Sequence, residues 1–229
     1  MLRKIQIHLF ILLSYLGSIS HAATIQTGDL LISEVMANPS AVSDTNGEWF
    51  EIFNASAKSI DINGLIISDD GSNSHQINNG AGLFIASGAY LVLGRNINLT
   101  ENGGYSADYV YSNFTLGNTL DQIVLSDNTS EIARLNYTGA PFGANGVSAE
   151  LINQLTNTNQ SNYQLSQNDQ YGLGDTGTPG RRGSLELVST SPVPVPGAVW
   201  LFASALLILG KKFKSAGQKC RPIGKYSLC

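Results

Sequence analysis

Chemistry near neutral pH needs a base, a nucleophile or a set of metal ligands, and this chain is sparing with all three. It has three histidines, His8, His21 and His75. The first two fall in an N-terminal apolar stretch read below as a leader, which leaves His75 alone in the part that folds. A nucleophilic triad needs its base beside the nucleophile. His75 stands in Ser72-Asn73-Ser74-His75-Gln76, a polar run that reads as a solvated surface turn. The two cysteines, Cys220 and Cys229, lie near the C-terminus, so the central region has neither a catalytic thiol nor a disulfide framework. Several His or Cys ligands are required for a zinc site, and no Gly-rich loop with its Lys is present to cradle phosphate. Carboxylates remain. Glu48 and Glu51 are three apart on an expected strand and so face opposite sides of a sheet. Glu34 belongs to a neighbouring expected strand. A glycosidase pair would have to stand about 5–10 Å apart within a cleft, and a carboxylate-based hydrolase is accordingly the third reading, behind two non-catalytic ones. Asp44-x-Asn46-x-Glu48 alternates oxygen ligands around Gly47 but lacks the sixth-position glycine and the distal Glu of an EF-hand loop. Asp69-Asp70 is a second acidic turn, and Asp and Asn also form turns without any metal. No catalytic, cofactor-binding or metal-binding residue is assigned, and no cofactor is expected.

The elements that would position these groups read as strands. From Gly28 to Ser184 short apolar runs are broken by Gly, Asn, Asp and Ser, the pattern of many short strands at close spacing. The expected strands are Asp29–Met36, Trp49–Phe53, Leu65–Ser68, Leu83–Ala86, Tyr90–Leu93, Tyr109–Tyr111, Gln122–Ser126 and Glu131–Leu135, with Ala149–Ile152 a weaker ninth. Alternation puts Phe50 and Ile52 on one face and Trp49, Glu51 and Phe53 on the other. Asn46-Gly47, Asn63-Gly64, Asp70-Gly71, Asn79-Gly80, Asn102-Gly103 and Asn145-Gly146 are turn signals that link twisted strands. No helical stripe is visible in this region. The expected fold class is all-β, a two-sheet sandwich of eight or nine strands.

Charge and hydropathy set the two ends apart. Of 13 Lys and Arg residues only Lys58, Arg95, Arg134, Arg181 and Arg182 lie between Ala23 and Pro196, whereas all 17 Asp and Glu residues do, so the middle carries a net −12. Such a surface would repel nucleic-acid phosphates, whose binding needs Lys and Arg to replace counterions; no direct nucleic-acid partner is expected. Residues 1–22 have the charged start, apolar core and small residues of a signal peptide cut after Ala22. Residues 185–196 are a Ser/Pro-rich linker. Residues 197–210 form an uncharged apolar run, expected as a single transmembrane helix, and residues 211–229 open with Lys211, Lys212 and Lys214, a cationic tail of the kind held on the cytoplasmic side.

Several ordered segments resemble a known family. Asp29-Leu-Leu-Ile-Ser-Glu-Val-Met-Ala-Asn-Pro39, then Asn46-Gly-Glu-Trp-Phe-Glu-Ile-Phe-Asn54, then Ile60-Asp-Ile-Asn-Gly-Leu-Ile-Ile-Ser-Asp69 are similar to the opening of the bacterial secreted type of lamin-tail domain. Gly88-Ala-Tyr-Leu-Val-Leu93, Asp121-Gln-Ile-Val-Leu-Ser-Asp127 and the closing Gly177-Thr-Pro-Gly180 continue the likeness, with Leu65 where the family usually has Trp. The resemblance implies an immunoglobulin-like β-sandwich over residues 28–184. Val193-Pro194-Val195-Pro196, the apolar run and the cluster Lys211, Lys212, Lys214 together resemble a PEP-CTERM sorting signal, which implies an exosortase-like processing enzyme as a partner. The expectation is thus a non-catalytic exported module of the cell surface or matrix. It would be anchored at least transiently through its C-terminal helix and would bind extracellular polysaccharide or a surface protein. The second reading is a calcium-dependent adhesion or carbohydrate-binding module.

Overall fold

The structure, a computed structural model, describes residues 24–152, 158–167 and 169–184. The leader with Ala22, the motif Val193–Pro196, the apolar run and Lys211, Lys212 and Lys214 lie outside the described residues. Among those described, no helix is long and apolar enough to cross a membrane.

The fold is mostly β. Strands β1 (Leu30–Met36), β2 (Trp49–Asn54), β3 (Ile60–Asp61), β4 (Ile66–Ser68), β5 (Ser74–Gln76), β6 (Phe84–Ile85) and β7 (Tyr90–Gly94) are followed by β8 (Tyr109–Val110), β9 (Leu120–Ser126) and β10 (Glu131–Thr138). Then come β11 (Ala149–Leu151), β12 (Tyr163–Leu165), β13 (Gln170–Tyr171) and β14 (Asp175–Thr176). One sheet has the order β12-β11-β1-β2-β7-β8 and the other β10-β9-β4-β5; β13-β14 and β3-β6 are two-stranded ribbons. All nine expected strands are present within a residue or three at their ends. The strand count was underestimated: β3, β5, β12, β13 and β14 are two or three residues long and largely polar, so they carry no hydrophobic period to read. A four-residue helix, α1 (Asp44–Gly47), was not expected.

The facing sides of the two larger sheets share one core. Phe50, Ile52, Leu91, Leu93 and Leu151 pack with Ile67, Ile123, Leu125 and Leu135, all buried. Burying each such side chain contributes about 1.5–3 kcal/mol. Leu65, at the family's Trp position, is buried in this core. The arrangement is consistent with an immunoglobulin-like sandwich.

The outer side of the six-stranded sheet is covered too. Met36, Trp49, Val92 and Tyr105 form a second buried cluster with Tyr171 against it, and Trp49 Nε1 donates to Tyr171 Oη at 3.0 Å. Strand β1 is therefore buried at every residue. A bulge between Ile32 and Glu34 decides which residues point outward. Ile32 pairs with Ile52 on the core side, but Glu34 pairs with Glu51 and Met36 with Trp49 on the outer side. The extra residue, Ser33, resets the alternation.

Candidate functional site

Three glutamates from three adjacent strands stand side by side on that outer face. Glu34 of β1 pairs directly with Glu51 of β2 and with Glu150 of β11. Directly opposed residues of an antiparallel pair hold their Cβ atoms about 4.5–5.5 Å apart, so the three carboxyls form a ladder with Glu34 as its middle rung. None is more than 1% exposed. The segment after β14, Gly177–Ser184, crosses over them as a strap. Thr178 N donates to Glu34 Oε1 at 2.7 Å, and Ser148 Oγ donates to the same oxygen at 2.5 Å. Thr178 Oγ1 lies 2.6 Å from Glu34 Oε2 and 3.2 Å from Glu150 Oε1. Gly180 N donates to Glu51 Oε2 at 2.7 Å, and Ser33 Oγ, on the bulge, to Glu51 Oε1 at 2.7 Å. Ser184 Oγ donates to Glu150 Oε2 at 2.9 Å.

The strap needs glycine because it runs so close. A Cβ on Gly177 would stand 2.8 Å from Glu34 Oε1, 2.9 Å from Ser148 Oγ and 3.2 Å from Trp49. Gly180 has φ +80°, a conformation side chains disfavour.

Electrostatics follow from burial. Desolvation, then the charge of Glu150, pushes Glu34 up to about 7, against the hydrogen bonds from Ser148 and Thr178. Glu51 is held well above the usual carboxylate range by desolvation and then by Glu34. Among the described residues neither has an ion-pair partner. These are carboxyls kept from water and from cations, in which the neutral form is favoured.

Glu48 occupies the other face, at the edge of the main core. Its Oε2 accepts Arg95 Nη1 at 3.1 Å and Leu116 N at 3.2 Å. Burial raises it to about 7, more than Leu116 and Arg95 lower it. The expectation that Glu48 and Glu51 point to opposite faces, with Glu34 on a neighbouring strand, therefore matches the geometry. The acid–base pair weighed from sequence does not form a cleft. Glu34 and Glu51 do meet, but buried beneath their own chain's donors.

One other expectation, the place of His75, is corrected. His75 is not on a turn: it lies in β5, partly buried, with Nε2 2.9 Å from Tyr109 Oη. Ser112 N donates to its Nδ1 at 3.2 Å, which makes Nε2 the protonated nitrogen and the donor to tyrosine. Burial lowers its pKa. The oxygens of Asp44, Asn46 and Glu48 do not converge. Asp44 Oδ2 accepts Asn118, Asn46 Oδ1 accepts Asn96, and Glu48 serves Arg95. Asp69 closes its own turn on Gly71 and Asn73, and Asp70 pairs with Arg134 at 2.9 Å. Among the described residues no group of three or more His, Cys, Asp or Glu is arranged to hold a metal.

Glu150, Ser148, Thr178 and Arg95 were not singled out from sequence. A lone Glu between the apolar Ala149 and Leu151 was the available signal for the first. Elsewhere, an open cavity of about 510 Å³ is lined by Asp29, Lys58, Asp61 and Phe84 among others. Phe84 is 65% exposed there. Asp61 Oδ1 accepts the N–H groups of Asn63 and Leu83.

Fold and site together define a two-sheet β module stapled by internal carboxylates. The Lamin Tail Domain family model matches residues 23–139. The chain belongs to the lamin tail domain family. No curated protein and no solved structure matches it.

Proposed function

We propose that this is a non-catalytic binding module of the bacterial secreted type, exported to the cell surface or extracellular matrix. One observation carries the reading. The glutamates that could do acid–base work are buried and bonded to their own chain, whereas a cavity that joins charged side chains to an exposed aromatic ring stands open. An aromatic face beside carboxylate and ammonium groups suits the C–H faces and hydroxyls of a sugar, so extracellular polysaccharide is the favoured partner and a surface protein the other. Export rests on the sequence: the leader ending at Ala22, and the Val193–Pro196 motif with its apolar run and basic cluster, which an exosortase-like enzyme would process.

Sedimentation of the purified full chain with polysaccharide extracted from its host's matrix tests the binding. Retention by the polysaccharide, weakened tenfold or more in Phe84→Ala, is the expected result. Equal retention of the variant would move the contact elsewhere, and no retention on any matrix fraction would remove the reading. Intact mass from the host envelope tests sorting. A product running from Ala23 to near Pro196 is expected, and one still carrying residues 197–229 would argue for a permanent anchor.

A further inference from the structure

The contact between strap and ladder depends on a proton. A threonine hydroxyl has a single hydrogen to donate, yet Thr178 Oγ1 lies within hydrogen-bond distance of carboxyl oxygens on both Glu34 and Glu150. It donates to one of them. The other contact is a hydrogen bond only if that carboxyl carries a proton and donates to Oγ1. Glu34 is placed to do so. Its Oε1 is occupied as an acceptor for Ser148 Oγ and Thr178 N, while Oε2 meets only the Thr178 hydroxyl. A proton on Glu34 Oε2 completes an unbroken chain, from Glu34 to Thr178 Oγ1 and from Thr178 Oγ1 to Glu150 Oε1.

We propose that Gly177–Ser184 is a proton-held strap, seated on the outer face while the Glu150–Glu34–Glu51 ladder retains a proton and released when the ladder ionises fully. Ionisation of both Glu34 and Glu51 sets like charges on adjacent rungs in a water-poor layer, and lifting the strap is the shortest route to hydrating them. It also leaves one of the two Thr178 contacts as a lone pair facing a lone pair.

Among the described residues no ion pair reaches Glu34 or Glu51. From β13, Tyr171 faces the layer and accepts from Trp49. Asp175 of β14 is held by the N–H groups of Ser40 and Ala41, and Asp108 by Val92 N. On the strap, Arg181 pairs with Asp169 at 3.5 Å on the exposed side. Glu34, raised by burial to about 7, and Glu51, also held well above the usual carboxylate range by burial, fit a ladder that keeps a proton below neutral pH and loses it above. Release would free residues 177–184 to adopt the extended form that a protease cleft requires around the already exposed Arg181 and Arg182.

Hydrogen exchange on the full chain in mild detergent, followed by mass spectrometry from pH 5.5 to 9, tests this. Rates for the peptide spanning residues 177–184 are divided by those of the same synthetic peptide, which removes the intrinsic base catalysis. Protection of the strap is expected to fall at least tenfold from pH 6 to pH 9, while the β9–β10 hairpin keeps its protection. In Glu150→Gln the amide can donate to Thr178 Oγ1 in place of the proton and removes one charge, so the strap should stay protected across the range. Glu51→Gln removes a charge, and its amide oxygen can still accept Gly180 N while its amide nitrogen turns to Ser33 Oγ, which can accept; it should shift the loss of protection upward in pH and serves if the first variant does not fold. Strap protection that is flat with pH in the wild type overturns the proposal. So does a wild-type profile in the variant, or loss of strap and hairpin together.

Discussion

At the scale of single residues, the buried acids invert the usual relation between pH and stability. Glu34 and Glu48 titrate near 7 in the folded chain, against about 4.5 when exposed. A group raised on folding contributes stability that is complete below its unfolded pKa and lost as pH climbs through the folded one. The chain should therefore be more stable to urea at pH 5 than at pH 8. The difference should be on the order of 3 kcal/mol, given about 1.4 kcal/mol per pKa unit and incomplete additivity within the ladder. His75 works the other way, since its lowered pKa removes stability as pH falls below its usual range near 6.5. A denaturation midpoint that rises with pH between 5 and 8 would contradict this balance. Arg95 gives a sharper case. Its side chain is 17% exposed and that of Glu48 3%, so Arg95→Gln leaves a desolvated carboxylate without its cation. The expected cost is about 3 kcal/mol at pH 8. At pH 5 Glu48 can take a proton and the cost should shrink; equal losses at both values would mean that Arg95 acts by packing alone.

At the scale of elements, the strap and the strand edges carry separate risks. Gly177→Ala would drive a methyl into Glu34, Ser148 and Trp49, a misfit of about 1–3 kcal/mol, read as a lowered urea midpoint together with faster exchange of residues 177–184. A normal midpoint would show that the strap has room to shift. Strand β10 is an edge of the four-stranded sheet, and side chains from the following segment and from Thr27, ahead of β1, cover it. Gln160 donates to Thr138 O and accepts from Thr138 N, Thr158 Oγ1 donates to Arg134 O, and Thr27 Oγ1 donates to Glu131 O. An uncovered edge is a template for pairing with another chain. Gln160→Ala should raise self-association, visible as a concentration-dependent sedimentation coefficient, and unchanged sedimentation would mean that the remaining side chains suffice. The long strands were legible because Trp49–Asn54 and Tyr90–Gly94 carry dense apolar residues between turn signals. Glu34's outward direction was not legible in strict alternation. Ile32 and Glu34 are two apart and should share a face, and only the bulge at Ser33 separates them. The strap was noticed as a family ending, Thr178-Pro179-Gly180, but what it touches is set by pairing across more than a hundred residues, from Glu34 to Thr178.

At the scale of the whole molecule, the family match and the folded unit do not end together. The match stops at residue 139, but the six-stranded sheet takes β11 and β12 from beyond it, next to β1. Those later residues also bring Glu150, Ser148, Thr178 and Tyr171 to the outer face. A chain cut at Gly139 would keep Glu34 and Glu51 but lose most of their donors, and would open Met36 and Trp49 to water. It would also lose Phe142, which stacks on Tyr137 with ring centroids 4.5 Å apart, and Tyr163, whose hydroxyl donates to Ile32 O across the core. Removing three or more large buried side chains costs about 3–5 kcal/mol each, against a total stability of about 5–15 kcal/mol for an ordinary domain. Residues 23–139 alone should therefore lack the near-ultraviolet circular dichroism and cooperative urea unfolding expected of residues 23–184. A cooperative transition in the shorter chain would show that the matched segment is the folding unit and that the carboxylate ladder and its strap are an addition to a core already complete.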